Sequence, residues 1–324
     1  MPAGDCHVRP MRAADGAACA AVVELAYRAG AERAGDERTV RRFPPDFLAS
    51  RFAREPEGCF VAFRASGEVV GALYSATWGS VAWLGPLAVA PAAQGQGVGR
   101  QLLDACLRHW EAQGVRLGGL DASPTNATTQ YLCGAAGFRA DWLSVGLRKT
   151  VADLPPPAPA AFRILAFSAL ALKERQARLT QARALTEAIY PGLDWSREIG
   201  QAFQLGLGES WLIEDDGQAV GVAVAHTWPR GETREGEAKL KLLALDPAHG
   251  TAAHFHGLLE VVEQYAAQRE LLCVVTRACT RARSGYWALL AERRYTPFDP
   301  RARLKRGADA DYEPADGYYL DEWL

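Results

Sequence analysis

One glutamine and two glycines at Q-x-x-G-x-G spacing form the pattern in this chain that most directly suggests chemistry. They lie in a loop with little side-chain bulk, made of Gln94, Gly95, Gln96, Gly97, Val98, Gly99 and Arg100. Backbone N–H groups in such a loop can converge on an anion, and the positive end of a following helix dipole adds to the attraction. The pattern therefore predicts a site for a pyrophosphate.

The segments on either side of this loop predict the elements that must position it. Residues 81–89 are apolar and end just before Pro91, as a buried strand does. After the loop, apolar residues recur at helical spacing, and a short apolar stretch at 115–120 predicts the next strand. The helical positions are Leu102, Leu103, Cys106, Leu107 and Trp110.

Two other phosphate-binding patterns are incomplete in this loop. The P-loop pattern G-x-x-x-x-G-K-[ST] is absent. The dinucleotide pattern G-x-G-x-x-G fails because its third glycine would fall at Leu102. Asp121 does lie where a ribose-binding acid would be, so a nicotinamide-dependent dehydrogenase remains an alternative.

Further residues downstream give the loop a family resemblance. Asn126 follows the predicted strand 115–120, and Gly137-Phe138 comes eleven residues later. With the glycine loop, this arrangement resembles the GNAT superfamily of N-acetyltransferases over roughly residues 6–150. The resemblance implies an α/β fold with a mixed, mostly antiparallel sheet flanked by helices. It also implies acetyl-CoA as a co-substrate, no metal, and an amine as the acceptor.

Gly85-Pro86, inside the strand before the loop, predicts an edge or a bulge, because proline donates no ladder hydrogen bond and glycine packs no side chain. GNAT proteins separate two parallel strands at such a point and insert the pantetheine arm between them. The resemblance therefore implies that the arm pairs with the backbone of Leu87, Ala88 and Val89, and that a backbone N–H there stabilises the oxyanion. It also places Asn126 among the cofactor-binding residues.

The second half of the chain repeats the first. Residues 67–71 (GEVVG) match residues 217–221 (GQAVG), and Thr77-Trp78 matches Thr227-Trp228 at the same offset of 150. The chain thus resembles tandem GNAT proteins. We expect a catalytic domain at 1–152, a proline-rich linker at 153–161 and a second domain at 162–324.

The second copy is degenerate where the anion site should be. Its loop, residues 248–252 (AHGTA), keeps one glycine, Gly250. Arg283 stands in the place of Asn126, and Arg294-Tyr295 replaces Gly137-Phe138. We expect this domain to have a structural or substrate-shaping role.

The catalytic residues are less clear than the cofactor loop. Residues 81–90 contain no acid, although GNAT enzymes often carry a glutamate there, so Asp121 is the candidate general base, with a turn-capping role as the alternative. Cys133 occupies the position of the usual tyrosine acid, and Tyr131 lies two residues away, about 200° around the helix. Cys133 is thus a candidate proton donor or a small buried hydrophobe.

Composition limits the classes of partner. The chain has 324 residues, 49% of them hydrophobic, and a net charge of −2, which gives no bulk attraction to nucleic acid or anionic membrane. No apolar run is long enough for a membrane span. Seven cysteines without a C-x-x-C pair predict reduced thiols, no zinc site and a cytoplasmic location. The oligomeric state is left open.

Together these patterns predict an N-acetyltransferase that moves acetyl from acetyl-CoA to a primary amine of a small molecule or peptide by direct attack. The alternative is a catalytically weak acyl-CoA-binding or regulatory protein, suggested by the missing glutamate and tyrosine.

Overall fold

A computed structural model describes residues 6–34, 47–152, 154, 161–307 and 312–322. The first half alternates strands and helices around the predicted loop. Its strands are β1 (Cys6–Pro10), β2 (Phe60–Arg64), β3 (Val69–Trp78), β4 (Val81–Val89), β5 (Leu117–Ala122) and β6 (Arg139–Thr150). Its helices are α1 (Gly16–Ala34), α2 (Phe47–Arg54), α3 (Val98–Ala112) and α4 (Ala127–Ala135).

The second half repeats this order of elements and then adds one strand. Its strands are β7 (Arg163–Ala166), β8 (Gly208–Asp215), β9 (Gln218–Thr227), β10 (Glu237–Leu245), β11 (Cys273–Cys279), β12 (Thr296–Gly307) and the additional β13 (Tyr319–Asp321). Its helices are α5 (Leu172–Ile189), α6 (Ser196–Gln204), α7 (Ala252–Gln268) and α8 (Arg283–Trp287). The predicted α/β class and the internal repeat are confirmed.

The thirteen strands of the described residues belong to one sheet, in which the two halves exchange a strand. The order is β1-β2-β3-β4-β5-β12-β6-β11-β10-β9-β8-β7, with β13 paired to β10. Strand β12 of the second half pairs antiparallel with both β5 and β6 of the first half, and β6 pairs antiparallel with β11. The order is therefore symmetric about the β12–β6 pair, so the duplication is preserved within a continuous sheet.

The exchange means that the expected domains, 1–152 and 162–324, do not have separate sheets. One apolar core also crosses the boundary: Trp78, Val81, Trp83 and Leu117 of the first half pack with residues of the second half, including Trp195 and Tyr319. Most of the expected linker, 153 and 155–160, lies outside the described residues. Independent folding of the halves stays a prediction.

The helix after the glycine loop packs as its apolar spacing predicts. Leu102, Leu103, Cys106 and Trp110 of α3 are buried, whereas Leu107 is only partly buried. Strand β5 passes between two tryptophans, and this explains its two glycines. A Cβ at Gly118 would lie 2.2 Å from the Trp110 ring, and one at Gly119 would lie 2.4 Å from the Trp83 ring. Since successive strand residues face opposite sides of the sheet, both faces of β5 are covered by an indole.

No helix in the described ranges has both the length and the apolar character that crossing a bilayer requires. All seven cysteines are free thiols. In the part of the chain that the structure covers, no three His, Cys, Asp or Glu side chains are grouped to hold a metal.

Candidate active site

Strands β4 and β5 separate at the predicted bulge. Their parallel pairing covers Val81–Trp83 and Leu117–Gly119 and continues no further. Just beyond it, Gly85 has a φ of +152°, and the β3–β4 register shifts between Leu73 and Ser75. The backbone of Leu87, Ala88 and Val89 therefore follows the point where β4 diverges from its parallel neighbour.

The glycine loop leaves its backbone donors open at the start of α3. Gly95 and Gly97 have positive φ values of 75° and 82°, and a Cβ on either would meet no atom within 4 Å. Within the described ranges, the N–H groups of Gly95 to Arg100 have no backbone acceptor, as expected for the first turn of a helix. Open, unhindered donors at a helix N-terminus suit a pyrophosphate.

Gly99 differs from the other two glycines of the loop. It is helical, and a Cβ there would lie 3.4 Å from Leu132 of α4, an ordinary contact distance, so neither packing nor backbone conformation requires a glycine at this position. Three of the predicted cofactor-binding side chains form hydrogen bonds with nearby backbone groups. Gln94 donates to Val89 O (2.9 Å), Gln96 donates to Ala92 O (2.9 Å), and Asn126 accepts from Thr129 N (3.0 Å). Arg100 pairs with Asp104 at 2.8 Å on the surface of α3.

In the second half, several N–H groups of the loop before α7 already have acceptors within the chain. The Asp246 carboxylate accepts from Ala248 N at 2.8 Å and from His249 N at 3.0 Å, and Thr251 caps α7. A Cβ at Gly250 would lie 2.4 Å from Leu245 Cβ, so this glycine is required by packing. The Asp246 carboxylate thus already accepts hydrogen bonds from two N–H groups of this loop.

In the second half, strand β13 lies in the gap where the parallel strands β10 and β11 diverge. Strands β10 and β11 are parallel over Glu237–Lys239 and Cys273–Val275. Beyond that point, β13 pairs antiparallel with Leu242–Ala244, and Glu322 N donates to Lys241 O at 2.7 Å. Sequence reasoning missed this strand, although a segment after β12 without a counterpart in the first half was a usable signal.

Asp121 is tied into a buried ion pair. Arg303 of β12 donates to both its carboxylate oxygens at 2.9 Å, and Ser144 donates at 3.1 Å. Burial raises the pKa of Asp121, but the Arg303 charge and hydrogen bonds outweigh this effect and leave the pKa below its usual value. A paired carboxylate of low pKa is a poor general base, and its oxygens are not open to a ribose.

The two candidates for proton donor lie on opposite sides of α4. Tyr131 is 80% exposed, whereas Cys133 is fully buried in the core beneath α3. Burial raises the pKa of the Cys133 thiol to about 11. This arrangement favours the small buried hydrophobe among the predicted roles of Cys133.

Sequence reasoning also missed a buried group of charges between the halves, here called the interface cluster. It consists of Arg51, Arg54, Glu198, His226, Glu232 and Lys241. Arg54 pairs with Glu198 at 2.5 Å and also with Glu232, and Lys241 pairs with Glu232 and, at 3.3 Å, with Glu198. Arginine and glutamate are common on surfaces, so the sequence held no signal that these would meet.

Burial and the neighbouring charges determine which members of the interface cluster are charged. Burial raises the pKa of Glu198, but Arg54 and Lys241 outweigh burial and bring it down to about 2. Burial lowers the pKa of Lys241 to about 8 and that of His226 to about 3. At neutral pH the cluster therefore holds three cations, two carboxylates and a neutral imidazole.

Comparison with known proteins identifies the class. Residues 23–138 match the family model described as the acetyltransferase (GNAT) family. A search of curated proteins finds no match. Residues 23–138 are therefore a GNAT domain, and this match supports acyltransferase activity in general.

Solved structures extend the likeness to the whole chain. A candidate acetyltransferase from Pyrococcus horikoshii is 15% identical, with a TM-score of 0.66 over 98% of this chain and 95% of that one. A GCN5-related N-acetyltransferase from Sphaerobacter thermophilus is 16% identical, with a TM-score of 0.61 over 97% and 100%. A tandem GNAT protein from the clavulanic acid biosynthesis pathway is 16% identical, with a TM-score of 0.55 over 96% and 100%. At this identity the likeness shows the fold alone, which is that of a tandem GNAT protein.

Proposed function

We propose that this protein is an N-acetyltransferase that moves acetyl from acetyl-CoA to a primary amine, using a single site in the first half. The observation that carries this proposal is the contrast between the two copies. The first loop leaves the N–H groups of residues 95–100 open beside diverging strands, whereas in the second half Asp246 accepts from loop N–H groups and β13 lies between the diverging strands.

The open loop would hold the pyrophosphate of the co-substrate. Gly95 and Gly97 let the chain turn at positive φ and approach the anion without a Cβ in the way. The backbone of Leu87 to Val89, freed from β5, would pair with the pantetheine arm as an added strand. Acetyl-CoA supplies the activated thioester carbonyl.

In the proposed reaction, the amine attacks that carbonyl directly in a ternary complex. The developing oxyanion is stabilised by backbone N–H groups of β4 beyond Gly85. Because Asp121 is paired and Cys133 is buried, the ammonium proton leaves to solvent and the departing thiolate takes a proton from solvent. The amine belongs to a small molecule or a peptide.

The alternative function is acyl-CoA binding with little or no turnover. The observation that favours it is the state of two of the three candidate catalytic groups, because Asp121 is ion-paired and Cys133 is fully buried. In that case the protein would bind acetyl-CoA as a sensor or regulator.

Calorimetry and a thiol-release assay together separate the two functions. We expect one acetyl-CoA to bind per chain and CoA to be released with at least one primary amine from a panel of small amines and peptide N-termini. Binding without release on any amine would favour the alternative. Absence of binding would reject both, and two equivalent sites would contradict the assignment to the first half.

A further inference from the structure

Arg51 of α2 contacts both the diverging strand and the second half of the chain. Its Nη1 donates to Gly85 O at 2.5 Å. On its other side, Arg51 Nε lies 3.1 Å from Glu232 Oε1, and its Nη2 donates to Glu232 Oε2 at 3.3 Å. Both side chains are buried, with 7% and 1% of their surfaces exposed. A guanidinium from the first half thus joins the bulge carbonyl to a carboxylate of the second half.

Glu232 is itself held firmly in place. It lies between β9 and β10, and Arg54 and Lys241 also bind its carboxylate. Burial raises the pKa of Glu232, but these cations and Arg51 outweigh it and keep the pKa well below its usual value. The carboxylate is therefore charged at neutral pH, and it holds the Arg51 guanidinium by one hydrogen bond from Nη2 and by the ion contact at Nε.

The Gly85 carbonyl controls the direction of the donors that follow it. A peptide group is planar, so holding this carbonyl fixes the plane that includes the nitrogen of Pro86. The proline ring then fixes the φ angle of Pro86, and Pro86 has no N–H of its own. The orientation of the next donor, the N–H of Leu87, then depends on one dihedral angle alone, which is ψ of Pro86.

We infer that Arg51, held by Glu232 of the second half, is a positioning residue that orients the backbone donors of β4 toward the acyl oxygen. This inference rests on the proposed acyl transfer and gives the second half a part in the reaction of the first. Arg51 acts through the backbone and does not itself contact the reacting atoms. Preorganised donors matter because a misplacement of about 1 Å at a reaction centre can cost about 100-fold in rate.

Arg54 offers a matched control for Arg51. Both lie on α2, both are buried, and both bind Glu232, but only Arg51 donates to Gly85 O. Arg51→Met and Arg54→Met each leave two cations and two carboxylates in the interface cluster. Circular dichroism and thermal unfolding check that each variant folds. If Arg51→Met does not fold, Arg51→Lys replaces it, with Arg54→Lys as its control.

The first readout needs no acceptor. Acetyl-CoA labelled with ¹³C at the carbonyl is bound to each protein, and the carbonyl resonance reports how strongly the acyl oxygen is polarised. We expect a downfield shift on binding to the wild type and to Arg54→Met, and loss of most of that shift in Arg51→Met. The affinity for unlabelled CoA, measured by calorimetry, should be the same in all three proteins.

The second readout is turnover with the fastest amine of the panel. We expect kcat of Arg51→Met to fall about 10-fold to 100-fold with little change in KM for acetyl-CoA, and kcat of Arg54→Met to stay within about 3-fold of the wild type. Equal carbonyl shifts in the two variants would overturn the inference and leave the proposed function standing. A wild type that binds no acetyl-CoA would overturn the proposed function and the inference together.

Discussion

Arg303 and Asp121 form a bidentate ion pair that joins the two halves of the chain. Arg303 Nε lies 2.9 Å from Asp121 Oδ1, and Arg303 Nη2 lies 2.9 Å from Asp121 Oδ2. The two residues face each other across the β12–β5 ladder. Arg303 also binds Glu313 at 3.0 Å and Asp321 at 2.5 Å, so the pair connects β5 to the C-terminal strand.

This pair predicts that Asp121→Asn mainly affects stability. Removing one partner leaves buried charge poorly compensated, and we expect a loss of about 3–5 kcal/mol in the free energy of unfolding. Turnover per folded molecule should stay within about 10-fold, with an unchanged pH–rate profile. Denaturant unfolding and kcat measured over a range of pH check both parts. Loss of turnover by about 100-fold or more in a well-folded variant would restore Asp121 as the base.

Gly97→Ala tests the anion loop. A side chain at positive φ costs about 1–2 kcal/mol, and we expect the distorted loop to weaken acetyl-CoA binding at least 10-fold by calorimetry. Gly67→Ala is the matched control, because Gly67 has a φ of +87° and open space around it but lies in the turn between β2 and β3. If both variants bind acetyl-CoA like the wild type, the loop at 94–100 is not the site.

Cys133→Ala and Tyr131→Phe test the source of the proton for the thiolate. Cys133 is fully buried and its pKa is raised to about 11, so its removal should change kcat by less than about 10-fold and cost about 1 kcal/mol of stability. Tyr131→Phe removes an exposed hydroxyl and should leave stability unchanged. Whichever variant loses kcat by orders of magnitude while folded would identify the donor.

The lowered pKa of Glu198 predicts that acid reduces the stability that the interface cluster contributes. Its pKa falls from 4.5 to about 2 on folding, so the folded state binds fewer protons and the resulting stability is present above pH 4.5. As the pH falls from 4.5 toward 2, we expect about 3 kcal/mol of the free energy of unfolding to be lost. Glu198→Gln should be less stable than the wild type at pH 7, and the difference should shrink toward pH 2.

Denaturant titrations at a series of pH values measure this effect. Glu68→Gln is a suitable control, because Glu68 is exposed and its pair with Arg64 spans 3.5 Å on the surface, where ion pairs contribute little. A pH-independent difference between the wild type and Glu198→Gln would contradict the assignment.

The C-terminal strand predicts the outcome of truncation. Deleting residues 312–324 removes β13 and the buried partners Glu313 and Asp321 of Arg303, so we expect a marked loss of stability. The binding stoichiometry of acetyl-CoA should stay at one, because the Asp246 carboxylate still occupies the N–H groups of the second loop. Calorimetry that gave two sites for the truncated protein would show that β13 alone closes the second copy.

The sequence by itself determined the features that short stretches of chain encode. Strand β4 has the bounds that its apolar run predicts, and the glycines at 95 and 97 adopt the positive φ that a tight loop needs. The repeat of 67–71 at 217–221 was likewise visible, because each copy keeps the same turn and apolar pattern. Such signals act over a few residues, so local conformational preference and periodicity are enough to reveal them.

Only the tertiary structure decided which distant residues meet. Arg303 and Asp121 are 182 positions apart, Arg51 and Glu232 are 181 apart, and β13 fills a gap between strands that precede it in the chain. In sequence, Asp121 is consistent with a base, a cap or an ion-pair partner, because a carboxylate suits all three. The tertiary structure decides among these roles, because β12 of the second half pairs with β5 and places Arg303 beside Asp121. Burial and a neighbouring charge, rather than residue type, set the state of an ionisable group.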